Sequence, residues 1–253
     1  MVDGLTRWIA CGALLLTSVL ASAETITINA EDDWKPFSWR GARNQAQGYA
    51  TELVRAAFAS QGITVHYNVV PFARCLREVE QGASVACFNI EITGYNRDRF
   101  LWPRTPLIEE DLAIYARADS RGQNLGSSDL VGKTVALTNG YTYPSVIMND
   151  AGILKDNSPS DEAQLRKLLS GRVDYALLNA TPAQLLIRQE PAFRGKIKRV
   201  GQVNRARFFL GFSLKHPEAE RLRTRFDAGM AALKASGDLQ RMEQAFKARH
   251  QLQ

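Results

Sequence analysis

The chain has 253 residues, 45% of them hydrophobic and 23% charged, with a formal net charge of +6. That length buries one large core or two modest ones and excludes a mini-protein that needs metal or disulfide staples. The basic residues are scattered and form no stripe, which argues against nucleic acid as a partner.

Arg7 precedes an apolar run from Trp8 to Leu20, followed by Ala21-Ser22-Ala23. This reads as a leader with a charged start, an apolar centre and a small-x-small cleavage site, cut after Ala23. The run is short for a membrane span, so an uncleaved anchor is the weaker alternative. Cys11 lies inside the run and is not read as a lipid attachment site. The expected mature chain begins at Glu24 and is exported, to the periplasm.

Thr25 to Asn29 alternates as a strand, and Glu31 to Phe37 reads as a loop. Gly48 to Ser60 is a helix with Tyr49, Leu53, Ala57 and Phe58 on one face, stopped near Gly62. Ile63 to Val69 alternates as a second strand. Phe72, Leu76 and Val79 repeat at helical spacing up to Gly82, and Val85 to Ile90 is a buried strand. Strand, helix, strand, helix, strand is a parallel α/β unit. Leu112 to Arg117 is extended, and the pattern then restarts. Thr134 to Thr138 is a strand, Gly140 opens a helix to about Asn149, and Ser160 caps another. Val173 to Leu178 is a strand, and Thr181-Pro182 begins a helix as N-cap and first residue. Phe208 to Leu214 crosses back, and two helices separated by Gly237 close the chain. The expected architecture is an α/β fold of two lobes: residues 24–112 and 213–253, and residues 113–212. Its hinge has two segments, near 112–117 and 207–214, suited to closing over a ligand.

Two cysteines remain after the leader, in an oxidising compartment. Counting from Gly82, Cys75 lies about 10 Å back along a helix and Cys87 roughly 10–13 Å on, largely along a strand. Both a disulfide and two buried free thiols fit that spacing.

The strand that ends near Ile90 opens into a polar turn with Glu91, Thr93 and Arg97. Open α/β sheets bind small molecules at the carboxyl ends of their strands. The turn is therefore one half of a candidate ligand clamp, with Asn89 beside it, and the other half lies on the second lobe.

Taken in order, Trp34-Lys-Pro-Phe, Gly48 with its helix, Glu91-Ile-Thr-(x)3-Arg97, Gly132-Lys-Thr-Val-Ala-Leu-Thr-Asn-Gly-Tyr-Thr, Leu169-Ser-Gly-Arg-Val-Asp-Tyr and Lys215-x-Pro-Glu make the mature chain resemble family 3 of the extracytoplasmic solute-binding proteins. That family includes the histidine- and lysine/arginine/ornithine-binding proteins of ABC importers. The resemblance implies a type II periplasmic-binding fold, a monomer, a small-molecule ligand such as an amino acid, an ABC permease as partner, and no cofactor, metal or catalysis. It implies that Arg97 grips a ligand carboxylate through a forked guanidinium contact, with Arg99 as the alternative register. It further implies that Trp34 stacks over the ligand and that Thr142, read as lying at a helix start, supplies a hydroxyl, with Tyr141 at the rim.

Two departures from the family pattern stand out. The second-lobe acid that holds an amino acid's ammonium falls on Asn179, while a first-lobe position that is usually Ser is Glu91. Glu91 is thus the candidate replacement acid, helped by Glu31. The opposing reading pairs Glu91 with Arg97 or Arg74 in a site for some other solute. Arg74, at the start of its helix, is a candidate to face the cleft. A cyclohexadienyl-dehydratase-like enzyme, with Glu91 as general acid, and a sensory ligand-binding module are the rival functions on the same fold.

Overall fold

The computed structural model describes residues 24–252. The expected leader, its cleavage site and Cys11 lie outside them. Strand β1 (Glu24–Glu31) is followed by three short strands, β2 (Asp33–Trp34), β3 (Ser38–Arg40) and β4 (Ala46–Gln47). These three pair antiparallel in a small sheet where the sequence reads as a loop. They are too short for alternation to show. Helix α1 (Tyr49–Ala59) starts after Gly48, whose φ is +121°. A Cβ at Gly48 would meet the Phe37 carbonyl oxygen at 2.3 Å, so only glycine permits this approach. The same carbonyl accepts from the Ala50 amide at 2.9 Å, which holds the Trp34–Phe37 segment against the helix.

Next come β5 (Ile63–Val70), α2 (Phe72–Gln81), β6 (Ala86–Glu91) and the two-residue β7 (Phe100–Leu101). β1 lies between β5 and β6 and is parallel to both. Strand β8 (Ile108–Arg117) leads into the second lobe, which contains β9 (Thr134–Thr138), α3 (Ser145–Met148), β10 (Leu154–Ser158), α4 (Asp161–Leu169), β11 (Tyr175–Asn179) and α5 (Ala180–Gln189). β10, β9 and β11 are parallel neighbours in that order. The 17-residue β12 (Ile197–Ser213) runs antiparallel to β8 from Ile197↔Arg117 to Phe208↔Ile108, then pairs with β6. One nine-stranded sheet therefore passes through both lobes. Helices α6 (Ala219–Ser236) and α7 (Asp238–His250) pack back on the first lobe, with Phe226, Met230 and Phe246 in its core.

The two-lobed α/β architecture expected from the sequence is present, and its details differ in four places. The extended crossings are longer, 108–117 and 197–213, because each strand continues past the lobe it leaves. Helix α3 starts at Ser145, not at Gly140, since Pro144 disfavours helical conformation at the residue before it. Thr142 is therefore in irregular chain and not at a helix start. Helix α5 has Asn179 as its N-cap, so Thr181 and Pro182 lie inside its first turn. Strand β10, Leu-Lys-Asp-Asn-Ser, is a polar edge strand with no apolar alternation to reveal it.

The core is divided between the lobes. Along β8 the first lobe's cluster includes Ile108 and the second lobe's begins at Leu112; along β12 the handover falls between Val203 and Ala206. Between these points the ribbon is polar, with Arg205 pairing to Glu109 at 3.2 Å and to Asp111 at 3.4 Å. Such exposed pairs contribute little to stability.

Behind β6, Cys75 of α2 and Cys87 are joined in a disulfide with Cα atoms 5.8 Å apart, both side chains fully buried among Val79 and Ile90. The bond ties α2 to the strand that ends in Glu91. Closing a loop with a sequence separation of 12 stabilises by about 3 kcal/mol through the unfolded chain. Cys75→Ser with Cys87→Ser is expected to lower the melting temperature by roughly 6–12 °C, measured by calorimetry. An unchanged melting temperature would mean that the bond contributes nothing.

Candidate functional site: the inter-lobe cleft

The polar residues of the cleft sit at the carboxyl ends of parallel strands. Glu31 is the last residue of β1, Glu91 of β6 and Asn179 of β11. All three line one narrow space between the lobes, with Trp34, Asn89 and Thr142. A second narrow space shares Glu91, Thr142 and Asn179 with it, and adds Asp161 from the start of α4. Phe72, Tyr141 and Phe208 supply aromatic walls to the first space. Strand order explains the convergence, because the two sets of parallel strands present their carboxyl ends to the same gap.

Asn89 is placed by a β-bulge. Cys87 pairs with Gly211 and Ile90 with Phe209, so two residues of β6 oppose one of β12. Asn89 has φ +69°, in the left-handed region that asparagine tolerates better than most residues. Asn89 and Glu91, two residues apart on β6, line the same cleft, as alternate residues of a strand do. Asn89 Nδ2 donates to Glu31 Oε2 at 3.3 Å, while Asn89 Oδ1 has no partner. The Trp34 indole lies between Phe37 and Phe208, ring centroids 4.8 Å away in each case, and its Nε1 is also unpartnered. Asn179 Oδ1 is a third such atom. Buried polar groups are normally satisfied, so three open valences on one cleft mark it as a place where a ligand completes the bonding.

The cleft is lined by carboxyl groups whose burial favours the neutral form. Burial pushes the Glu31 carboxyl well above the usual range, opposed by the Asn89 amide and reinforced by the Asp161 charge. Burial also pushes Glu91 up to about 7, against a hydrogen bond from Asn204 Nδ2 at 3.4 Å. Asp161 is raised to about 6 by burial although Thr138 Oγ1 donates to it at 2.6 Å. Neither Glu31 nor Glu91 has a cationic partner among the described residues, and no Lys or Arg lines either space. Tyr141 links the walls: its hydroxyl donates to the Asp33 carbonyl at 3.1 Å, and its ring meets Phe72 edge-on at 6.2 Å.

Several residues singled out in the sequence are placed elsewhere. Arg97 is exposed and lines an outer groove with Trp102, Arg205, Arg207 and the outer side of Glu91. The physical reason is Asn96, which is buried and spans the turn: its Oδ1 accepts from the Thr93 amide and its Nδ2 donates to the Glu91 carbonyl, both at 2.8 Å. That turn carries Thr93 and Arg97 away from the cleft. Arg99 pairs with Glu80 at 2.9 Å. Arg74 is exposed and pairs with Glu78 at 2.6 Å, so it neither faces the cleft nor reaches Glu91. Sequence reading passed over Asp161, Phe72 and Phe208 as site residues. Asp161 follows a helix cap directly and reads as an ordinary first-turn acid, Phe72 reads as one position of a helix's apolar repeat, and Phe208 as the start of an extended crossing.

The chain matches the family model described as bacterial extracellular solute-binding proteins, family 3, over residues 26–248. A search of curated proteins found no match. Among solved structures it resembles a histidine kinase sensor domain similar to periplasmic binding proteins, at 24% identity and TM-score 0.73, covering 88% of this chain and 95% of that one. It also resembles an ancestral arginine-binding protein bound to arginine, at 18% identity and TM-score 0.74, covering 88% and 97%. A third is an amino acid ABC transporter substrate-binding protein from Streptococcus pneumoniae bound to L-arginine, at 19% identity and TM-score 0.72, covering 88% and 95%. At these identities the structures share the fold.

The raised carboxyl groups set a pH dependence. Folded Glu91 titrates near 7, above its ordinary value of 4.5. The stability this group contributes is complete below about pH 4.5 and is lost as pH rises through about 7. Glu31 and Asp161 act with the same sign. The melting temperature of the ligand-free protein is expected to fall between about pH 5 and 8, and Glu91→Gln to flatten that fall. An identical slope in the variant would contradict the assignment.

Proposed function

This chain belongs to the bacterial extracellular solute-binding proteins, family 3, and from that premise we propose that it is a periplasmic protein whose lobes close on a small polar solute bearing a cationic nitrogen. The lobes bend at the β8–β12 ribbon, and the loaded protein delivers its solute to an ABC importer as a monomer. The observation that carries this reading is the pair of carboxyl groups, buried Glu31 and half-buried Glu91, which line the cleft without a cation paired to either among the described residues. A buried charge needs a partner, and an ammonium or guanidinium is the partner that both strand ends can take. Thr142, Asn179 and the unpaired Asn89 oxygen add hydrogen bonds, with Tyr141 and Trp34 closing the space. Arginine in two structures of the same fold agrees with a basic solute.

Two other readings meet specific observations. The similarity to a histidine kinase sensor domain favours a sensory role, in which the closed form is handed to a receptor. Uptake of labelled solute by a strain lacking the gene separates the two, since loss of uptake belongs to transport. A cyclohexadienyl-dehydratase-like activity would bring the dianion prephenate against Glu31, Glu91 and Asp161 with no Lys or Arg on the lining. Incubation with prephenate is expected to yield no phenylpyruvate.

The binding test is a thermal-shift and calorimetric screen of basic amino acids, amines, organic acids and neutral sugars. Basic solutes are expected to stabilise the protein. Losing one charged hydrogen bond, worth about 1.5–3 kcal/mol, means that Glu91→Gln weakens them at least about tenfold. Arg97→Ala is expected to leave their affinity unchanged within about twofold. Stabilisation by organic acids alone, or a large loss in Arg97→Ala, would overturn the reading.

A further inference from the structure

We propose that the cleft selects a solute with two separated cationic nitrogens and no carboxylate, an α,ω-diamine or guanidino-amine, and that Asp161 receives the second cation. This rests on the cationic-solute reading above and narrows it. The carboxyl groups stand on both walls, Glu31 and Glu91 on one lobe and Asp161 on the other. Among the described residues no three His, Cys, Asp or Glu side chains are grouped to hold one metal ion. Asp161 therefore stands across the cleft from the two glutamates.

The lining of both spaces also holds no cationic side chain to meet a carboxylate. An α-amino acid buried here would place its carboxylate beside like charges with no guanidinium or ammonium to meet it, which is costly. Arg97 is outside, held there by the Asn96 turn. The start of α5, which follows Asn179, is already occupied from within the protein. Glu110, buried on β8, accepts from the Thr181 amide at 2.8 Å and from its hydroxyl at 2.7 Å. Beyond Thr142, Pro144 has no N–H to offer.

Independent of the acids, the unsatisfied atoms suit amines. Asn89 is only 4% exposed, lines the cleft and has an open acceptor, Oδ1; Asn179 Oδ1 is a second open acceptor on the opposite wall. An ammonium carries three donors and no acceptor, so each end of a diamine matches one asparagine oxygen and one carboxylate. Between the two ends, Phe72, Tyr141 and Phe208 offer apolar surface for a methylene chain and ring faces for a cation.

Two matched pairs of probes test this by calorimetry on the full mature protein: L-lysine against 1,5-diaminopentane, and L-arginine against agmatine. Each pair differs only by the carboxylate. The decarboxylated member is expected to bind at least tenfold more tightly in at least one pair. Asp161→Asn, which retains an acceptor for the Thr138 hydroxyl, is expected to lose at least tenfold for that probe, while Arg97→Ala matches the parent. A melting temperature close to the parent's establishes that the variant is folded. Equal or tighter binding of the amino acids, or an unchanged affinity in Asp161→Asn, overturns this inference and leaves the cationic-solute reading standing. Binding of neutral or acidic solutes with none of the four probes overturns both.

Discussion

Glu31 and Glu91 end adjacent parallel strands, and each keeps a carboxyl group in the space between the lobes with only an asparagine amide for company. Removing such a group from water without a counter-charge is unfavourable, and the raised titration of both is the visible consequence. Much of the first lobe serves to hold this arrangement. The disulfide fixes α2 behind β6, the bulge turns Asn89 toward Glu31, and Gly48 allows α1 to clamp the segment that carries Trp34. Under the proposed reading, a bound cation restores what burial has withheld from these two groups.

The second lobe adds a wall rather than a duplicate site. Its parallel strands end in Thr138, Ser158 and Asn179, all neutral, and its acid comes from Asp161 at the start of a helix. Glu110 on the crossing strand is the exception that clarifies the pattern. It is buried like the cleft acids but satisfied by Thr181, so it locks β8 to α5 and leaves no open valence. Glu110 thus differs from the cleft acids in that the fold itself provides its donors.

Much of this was legible in the sequence. Alternation and helical spacing gave the α/β units, Gly82 and Gly237 marked helix ends with left-handed φ values of 82° and 76°, and the strand ends carrying Glu31, Glu91 and Asn179 were visible as polar residues after apolar runs. The exchange of an acid between Asn179 and Glu91 was readable only against a family pattern. What escaped depends on turn geometry and on pairs far apart in the chain. Arg97 falls at the family position for a carboxylate grip, but Asn96 closes the turn so that Arg97 points outward. Arg74 is drawn to Glu78 one helical turn away. Asp161 is hidden because a first-turn acid is ordinary on any helix, and only the folded chain brings it to the cleft.

A crystal structure of the protein with its solute bound tests the central claim most directly. The account predicts a ligand nitrogen within roughly 2.7–2.9 Å of a carboxylate oxygen of Glu31 or Glu91, with Arg97 still in solvent. A ligand carboxylate held by Arg97, or a solute whose nitrogens avoid both glutamates, would contradict it.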